Sequence, residues 1–257
     1  MMRLFDTHAH YDSTQFDEDR DAVLAALPEA GVALALNPGC DIPSSRRAVE
    51  YAAKYPHMYA AVGFHPENAD EAAEGDIEAL RALCREPKVV AVGEIGLDYY
   101  WVTDEDARAR QRELFRAQMQ LARETGLPVI VHDREAHADS LDIVREFPDV
   151  RGVFHCYSGS AEMAKILVDM GWMISFTGVL TFKNARKAHE VLRMLPPDRL
   201  MFETDAPYMA PEPHRGKRCD SRLVCHTVAR AAELLGEDAE VLAERTYRNA
   251  CRFFGIA

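Results

Sequence analysis

The sequence has no run of eighteen apolar residues, the length that a membrane-spanning helix requires. Residues 1–6 also lack the charged start and the long apolar stretch of a secretory signal peptide. The six cysteines are scattered without a CxxC pair, so neither a disulfide framework nor a zinc-thiolate site is indicated. We therefore expect a cytoplasmic protein with reduced thiols and no membrane contact.

Basic residues are in the minority, because 30 Lys and Arg stand against 42 Asp and Glu and give a net charge of −12. Lys and Arg supply most of the affinity of proteins for the nucleic-acid backbone, so this balance argues against nonspecific coating of nucleic acid. Residues 183–222 differ, with nine basic and six acidic side chains and a segment charge of +3. That excess indicates either a solvated face or a local phosphate site.

No linker, low-complexity tract or charge block divides the 257 residues, and 48% of them are hydrophobic, enough for a sizeable core. Short apolar, β-branched runs alternate with longer amphipathic stretches, which is typical of βα units and a parallel sheet. The predicted strands are 3–7, 32–37, 58–64, 89–94, 128–132, 152–155, 172–176 and 200–203. The predicted helices are 17–29, 44–54, 75–85, 104–125, 135–146, 161–170, 185–195, 221–235 and 238–254.

Eight strands separated by helices match the size of a (β/α)8 TIM barrel, although a doubly wound open sheet has similar elements. Strand count alone does not distinguish a closed sheet from an open one. We predict the barrel, as a single α/β domain over residues 1–257, because chemically active side chains follow so many of the strands. In the longest predicted helix, 104–125, Thr103 and Asp106 form a candidate capping box.

Two histidines, His8 and His10, follow the first predicted strand. On an extended chain, residues two apart point to the same side, so both imidazoles can reach one cation. Such a pair also arises by chance. Four further candidate ligands strengthen the prediction of a cation site, because each stands at or just past the end of a predicted strand: Glu94, His132, His155 and Asp205.

In a barrel, the carboxyl ends of all strands face one mouth. Taken singly, each of these residues is equally well explained as a hydrogen-bonded core histidine or a helix cap. Taken together, six buried imidazoles and carboxylates are costly unless they are paired or bind metal. Nitrogen and carboxylate ligands suit Zn, Mn, Fe or Ni, with Mg also compatible. Six groups exceed the three protein ligands of a mononuclear catalytic zinc, so we expect two cations bridged by Glu94.

The chain resembles the TatD family of metal-dependent deoxyribonucleases, within the amidohydrolase superfamily. The matching motifs run along the whole chain: FDTHAH at 5–10, VGFHP at 62–66, VGEIGLDY at 92–99, VHDR at 131–134, HCYSG at 155–159 and ETDAPY at 203–208. The basic loop at 213–218 is similar to a family loop, but Cys219 and Ser221 stand where Asn and Pro are usual. That departure leaves the geometry of the loop open.

The resemblance implies two divalent cations, Mg, Mn or Zn. One would be held by His8, His10, Glu94 and Asp205, and the other by Glu94, His132 and His155. Asp205 would also orient or deprotonate the attacking water, and Glu203 would relay a proton or support a metal ligand. His65, Arg134 and Arg215 are the candidate contacts to substrate phosphate.

The expected reaction is metal-dependent hydrolysis of phosphodiester bonds in DNA, as an exonuclease on strand ends. The alternative is a hydrolase of a small ester, lactone or amide on the same pair of cations. A degenerate barrel that only binds metal and nucleic acid is a third interpretation, and the complete set of candidate ligands argues against it. The substrate partner is therefore a DNA end or another phosphodiester, and no stable protein partner is indicated.

Overall fold

The computed structural model describes residues 2–256, in which eight parallel strands follow one another around a nearly closed barrel. The strands are β1 (Leu4–Asp6), β2 (Val32–Pro38), β3 (Met58–Val62), β4 (Val89–Asp98), β5 (Val129–Arg134), β6 (Gly152–Phe154), β7 (Met173–Phe176) and β8 (Leu200–Phe202). Parallel neighbours need crossover connections, which helices provide. The predicted (β/α)8 barrel is confirmed.

The helices of residues 2–256 are α1 (Arg20–Ala26), α2 (Ile42–Lys54), α3 (Asp76–Leu83), α4 (Glu105–Thr125), α5 (His137–Arg145), α6 (Ala161–Asp169), α7 (Arg186–Met194), α8 (Val224–Leu235) and α9 (Ala239–Phe254). The capping box expected at Thr103 is wrong. The side chain of Asp104 instead accepts the N–H of Ala107, at 2.9 Å, and caps α4. None of these helices is both long and apolar enough to span a membrane.

The predicted elements differ from the observed ones by a few residues at one or both ends, and two of these differences have a clear physical cause. The helix expected at 17–29 ends at Ala26, because Pro28 lacks the N–H that a continuing helix would need and starts a short 3-10 turn. The strand expected at 89–94 extends through Asp98 and pairs with β5, with Gly96 opposite His132. Gly96 has a φ of 137°, and a Cβ there would lie 2.0 Å from the His132 carbonyl oxygen, so only glycine fits.

The barrel interior is filled by one side chain from each strand, and α9 covers the amino end of the barrel. These side chains form one apolar cluster with Phe254 of α9: Phe5, Leu36, Ala61, Ala91, Ile130, Val153, Met173 and Met201. A second, larger cluster lies between the strands and the surrounding helices. Because side chains fill the barrel interior, a functional site is expected at the carboxyl ends of the strands.

A seam separates β1 from β8, since within residues 2–256 the strand ladder does not join them. The backbone N–H of Asp205 donates to the carbonyl of His8 across this seam, at 2.8 Å. The buried carboxylate of Asp6 accepts the N–H and the hydroxyl of Thr204, at 2.8 and 2.6 Å. Burial raises the pKa of Asp6 to about 7. These contacts join the first strand of the barrel to the segment that follows the last one, at the mouth.

Candidate active site

The carboxyl ends of the strands open into a cavity of about 1260 Å³. Five of the six predicted metal ligands line it: His10, Glu94, His132, His155 and Asp205. The sixth, His8, lies fully buried beneath them. Side chains from distant parts of the sequence therefore meet in one place, as the order of the barrel strands requires.

Glu94 lies at the centre of the cluster and faces imidazoles with both carboxylate oxygens. Its Oε2 lies 3.2 Å from Nε2 of His8 and 3.4 Å from Nε2 of His10. Its Oε1 lies 2.9 Å from Nδ1 of His132 and 2.7 Å from Nε2 of His155. Apart from His65, whose Nε2 also lies 3.6 Å from Oε1, each oxygen therefore faces a different pair of imidazoles, which is the arrangement expected of a carboxylate that bridges two cations.

Asp205 joins the side of the cluster formed by His8 and His10. Its Oδ1 lies 3.5 Å from Nε2 of His10 and 3.8 Å from Nε2 of His8. Its φ is 59°, a left-handed conformation that Asp tolerates better than most residues with a side chain. This local turn after β8 directs the carboxylate into the cavity.

Burial and mutual charge shift the pKa values of this cluster. Burial acts to raise the pKa of Glu94, but the His155 and His8 imidazoles hold it well below its usual range. Burial acts to lower the pKa of His132, but hydrogen bonds with Asp98 and Glu94 raise it to about 9. The carboxylate at the centre is therefore ionised near neutral pH and complements positive charge.

The donor atoms fit divalent cations. Nε2 of the buried His8 lies 3.0 Å from Nε2 of His10 and 3.2 Å from Oε2 of Glu94, so nitrogen and carboxylate donors converge on one point. Imidazole nitrogen with carboxylate oxygen is the donor set of Zn and Mn. In the described chain, three groups place ligand atoms within 4.8 Å of one another: His8, His155 and Asp205; His8, His10 and Glu94; and His65, Glu94 and His132.

His65 lies deeper in the cluster than a contact to substrate alone would require. Its Nε2 is 3.6 Å from Oε1 of Glu94, and its ring meets the His132 ring edge to face at 4.4 Å. Its Nδ1 accepts the N–H of Glu67, so the Nε2 side is turned toward Glu94. Burial lowers the pKa of His65 to about 3, which keeps the ring neutral.

Glu203 lies behind His155 and does not line the cavity in the described structure. Its Oε1 accepts the N–H of Cys156 at 2.6 Å and lies 3.3 Å from Nδ1 of His155. Its Oε2 accepts the hydroxyl of Ser175 at 2.7 Å. Since both oxygens are engaged, the geometry suits orientation of His155 better than transfer of a proton.

Asp98 is a functional candidate that the sequence reasoning missed. Its Oδ2 lies 3.0 Å from Nε2 of His132, on the side of the ring opposite Glu94. Residues 94, 96 and 98 alternate along one strand, so Asp98 shares the face of Glu94. The period of two would have found it if the predicted strand had continued beyond Glu94.

The predicted phosphate contacts separate in space. Arg134 lines the cavity, whereas Arg215 is absent from the lining formed by the described residues. The guanidinium of Arg215 lies over the ring of Phe182, 4.2 Å from its centroid. Arg186 and Lys187, which the sequence analysis did not single out, line the cavity instead. They belong to the segment with excess positive charge.

The two residues that depart from the family pattern are both buried. The N–H of Cys219 donates to the carbonyl of Pro207. The hydroxyl of Tyr11 donates to Oγ of Ser221 at 2.6 Å, and the N–H of Ser221 donates back to Tyr11 at 3.0 Å. The loop is therefore anchored to the segment after β1 without the usual Asn and Pro.

A parallel barrel with clustered imidazoles and carboxylates at its mouth is the architecture of metal-dependent hydrolases. The sequence model of the "TatD related DNase" family matches residues 5–255. The chain belongs to the TatD family of metal-dependent hydrolases.

Known proteins resemble this chain over nearly its whole length. The metal-dependent hydrolase YabD of Bacillus subtilis, described as uncharacterized, is 41% identical over 255 residues, which cover 98% of this chain and 99% of the relative. The 3'-5' ssDNA/RNA exonuclease TatD of Salmonella typhimurium is 34% identical, with 98% and 99% covered. The crystal structure of YJJV, a TatD homologue from Escherichia coli, superposes with a TM-score of 0.92 at 32% identity and covers 99% of both chains.

Proposed function

We propose that this hydrolase removes nucleotides from the ends of DNA strands by cleaving phosphodiester bonds with two divalent cations. The observation that carries this proposal is Glu94, whose two oxygens face two different pairs of imidazoles. Two cations held close together suit displacement at a phosphodiester, because they stabilise both the attacking and the leaving oxygen. The name of the Salmonella relative, a 3'-5' ssDNA/RNA exonuclease, supports the substrate class.

Six side chains divide between the two cation positions. His8, His10, Glu94 and Asp205 would hold one, and Glu94, His132 and His155 would hold the other. Mg, Mn and Zn are the candidates. When bound, the cations supply a Lewis acid for the phosphoryl oxygen and lower the pKa of water.

Asp205 is the proposed base, because its carboxylate lines the cavity and is partly exposed there. It accepts the proton of the attacking water. Glu203 is the proposed support of His155, since its oxygens are occupied by Ser175 and the backbone of Cys156. Arg134 supplies positive charge at the mouth for substrate phosphate, where Arg186 and Lys187 add to it.

The test uses metal-stripped protein, single-stranded DNA labelled at either end, and titration with Mg²⁺ or Mn²⁺. We expect stepwise shortening that requires the cation and is lost in Asp205→Asn. Asp149→Asn is the matched control, because Asp149 is exposed and forms a surface ion pair with Arg123, away from the cavity. The labelled end that shortens gives the polarity. Metal-loaded protein that leaves DNA intact but cleaves neutral esters or lactones would overturn the proposal.

A further inference from the structure

Two large aromatic side chains at the mouth of the barrel are exposed to solvent. Tyr100 is 51% exposed and Trp101 is 62% exposed. Their rings meet edge to face, with centroids 4.7 Å apart. The guanidinium of Arg134 lies 4.0 Å from the centroid of Tyr100 and 5.5 Å from that of Trp101. We call these three residues the aromatic rim.

The backbone that carries the aromatic rim is fixed. Oδ1 of Asp98 accepts the N–H groups of both aromatic residues, at 3.0 and 2.9 Å. From the first turn of α4, Arg108 donates to the carbonyls of Tyr99 and Val102. The loop is therefore held on two sides, while the side chains of the rim project from it.

Packing against the protein core does not explain why Tyr100 and Trp101 are large and aromatic, because the neighbouring Tyr99 makes the contact with the core. Tyr99 is partly buried against the core, and its hydroxyl donates to Asp139 at 2.5 Å. Arg108 covers its ring at 4.4 Å. Tyr100 and Trp101 leave more than half of their surface in water, and clustered exposed apolar side chains mark binding surfaces.

Arg134 has no carboxylate as an ion-pair partner in residues 2–256. Its guanidinium therefore stays beside the two aromatic rings, although its charge also acts on the carboxylates of Asp98 and Glu67. A flat ligand that also carries negative charge matches this combination, because rings stack on its faces and a guanidinium attracts its phosphate. Trp101 and Arg134 line the same cavity as Glu94, and at about 1260 Å³ this cavity exceeds the usual range for small-molecule sites.

We propose that the aromatic rim stacks on an unpaired nucleobase of the nucleic-acid chain whose phosphodiester lies at Glu94. The inference rests on the proposed function for the position of the phosphate. A base inside a duplex has both faces covered and a terminal base pair leaves only its outer face open, so stacking on the rim favours an unpaired base. The rim therefore makes this hydrolase selective for single-stranded ends.

Tryptophan fluorescence tests the contact directly. The sequence has two tryptophans, and the other, Trp172, is 2% exposed and packs against Phe154. The probe is a short single-stranded oligothymidylate with phosphorothioate linkages, added to Mg²⁺-loaded protein. We expect it to quench Trp101, whereas the same sequence in a duplex quenches far less.

The binding constants of variants then decide what the rim contributes. We expect Trp101→Ala to weaken binding of the oligothymidylate roughly 5- to 150-fold, the loss associated with one base stack, and Trp101→Phe to restore most of it. An abasic chain of equal length tests the base itself, and its affinity should change little on Trp101→Ala. Val241→Ala, an exposed apolar change on α9, is the matched control and should leave binding unchanged. Equal binding of the intact probe by Trp101→Ala, Tyr100→Ala and the parent chain would overturn the proposal.

Failure of the rim and failure of the proposed function give different results. Suppose that the phosphorothioate probe quenches Trp101 but that the metal-loaded protein never shortens the same sequence with ordinary phosphodiester linkages. That result would retain the rim and reject the exonuclease. Shortening of single strands at equal rates and equal KM in Trp101→Ala and the parent chain would retain the exonuclease and reject the rim. Circular dichroism of each variant checks that the fold is intact.

Discussion

Asp98 contacts His132 on the side of the imidazole that faces away from Glu94, with 3.0 Å between Oδ2 and Nε2. The other oxygen of the same carboxylate holds the N–H of Trp101. Burial acts to raise the pKa of Asp98, but the hydrogen bond with His132 keeps it below its usual value. One ionised side chain thus orients a candidate ligand and fixes the loop of the aromatic rim.

Asp98→Asn should weaken the affinity for Mn²⁺ or Zn²⁺ by about 10- to 100-fold, the range found for residues that support metal ligands. The amide retains an oxygen for the loop but loses the charge that faces His132. Competition with a chelating dye measures the affinity, with Asp149→Asn as the surface control. An unchanged affinity would show that His132 does not depend on Asp98.

Glu94→Gln should lower both metal affinity and turnover by roughly 100-fold or more, since it removes the charge that the surrounding imidazoles share. The fold should persist, because the amide occupies the same space. Calorimetric metal titration and far-ultraviolet circular dichroism measure the two properties. Glu86→Gln, at an exposed position, is the control. Unchanged turnover in Glu94→Gln would show that hydrolysis does not need the charge of Glu94.

Tyr11→Phe should lower the free energy of unfolding by about 1–3 kcal/mol, because the N–H and hydroxyl of buried Ser221 lose their partner. Urea denaturation measures the change. Tyr208→Phe, at a side chain that is 53% exposed, should change stability by less than about 0.5 kcal/mol. If both variants were equally stable, the Tyr11 hydrogen bonds would not anchor the loop.

His137 should make a pH-dependent contribution to stability. Its Nδ1 lies 2.7 Å from Oδ2 of Asp133, and this hydrogen bond raises the pKa of His137 above its ordinary value of 6.5. A pKa that is raised on folding stabilises the protein below about pH 6.5, and the contribution is lost as pH rises through the folded pKa. His137→Gln should therefore destabilise more at about pH 6 than at about pH 9, by at most about 1 kcal/mol, because the imidazole is 39% exposed.

His57 provides a control, because its contribution to stability should depend on pH in the direction opposite to that of His137. Burial lowers the pKa of His57, so its contribution to stability falls as pH drops below its ordinary value. Denaturant titrations of His57→Gln and His137→Gln across this pH range should give differences from the parent chain that change in opposite directions. Parallel slopes would contradict the assignment of the Asp133 hydrogen bond.

The sequence alone placed the ligand candidates well because barrel geometry does most of the positioning. His8, His155 and Asp205 each follow a strand and Glu94 lies in the second half of β4, and parallel strands bring their carboxyl ends to one mouth whatever the loops do. Asp98 was missed because the predicted strand ended at Glu94, four residues before the observed end of β4. Gly96 continues the strand with a left-handed φ that periodicity does not reveal.

Residues in loops were harder to place. Arg134 and Arg215 looked equivalent as phosphate contacts, but Arg134 lies at the end of a strand, whereas Arg215 lies in a loop that packs on Phe182. Arg186 and Lys187 reach the cavity through the connection before α7. Their positions depend on tertiary packing, which no local pattern in the sequence encodes.

The seam between β1 and β8 sets when the site can form during synthesis of the chain. His8 and His10 leave the ribosome early, whereas Asp205, their neighbour across the seam, is made after all eight strands. A nascent chain therefore carries five of the six candidate ligands, without Asp205, until its last strand closes the barrel. Contacts so distant in sequence form slowly, and a cation that binds both sides favours the closed state over every open one. Cation binding would then stabilise the completed barrel in addition to its role in hydrolysis.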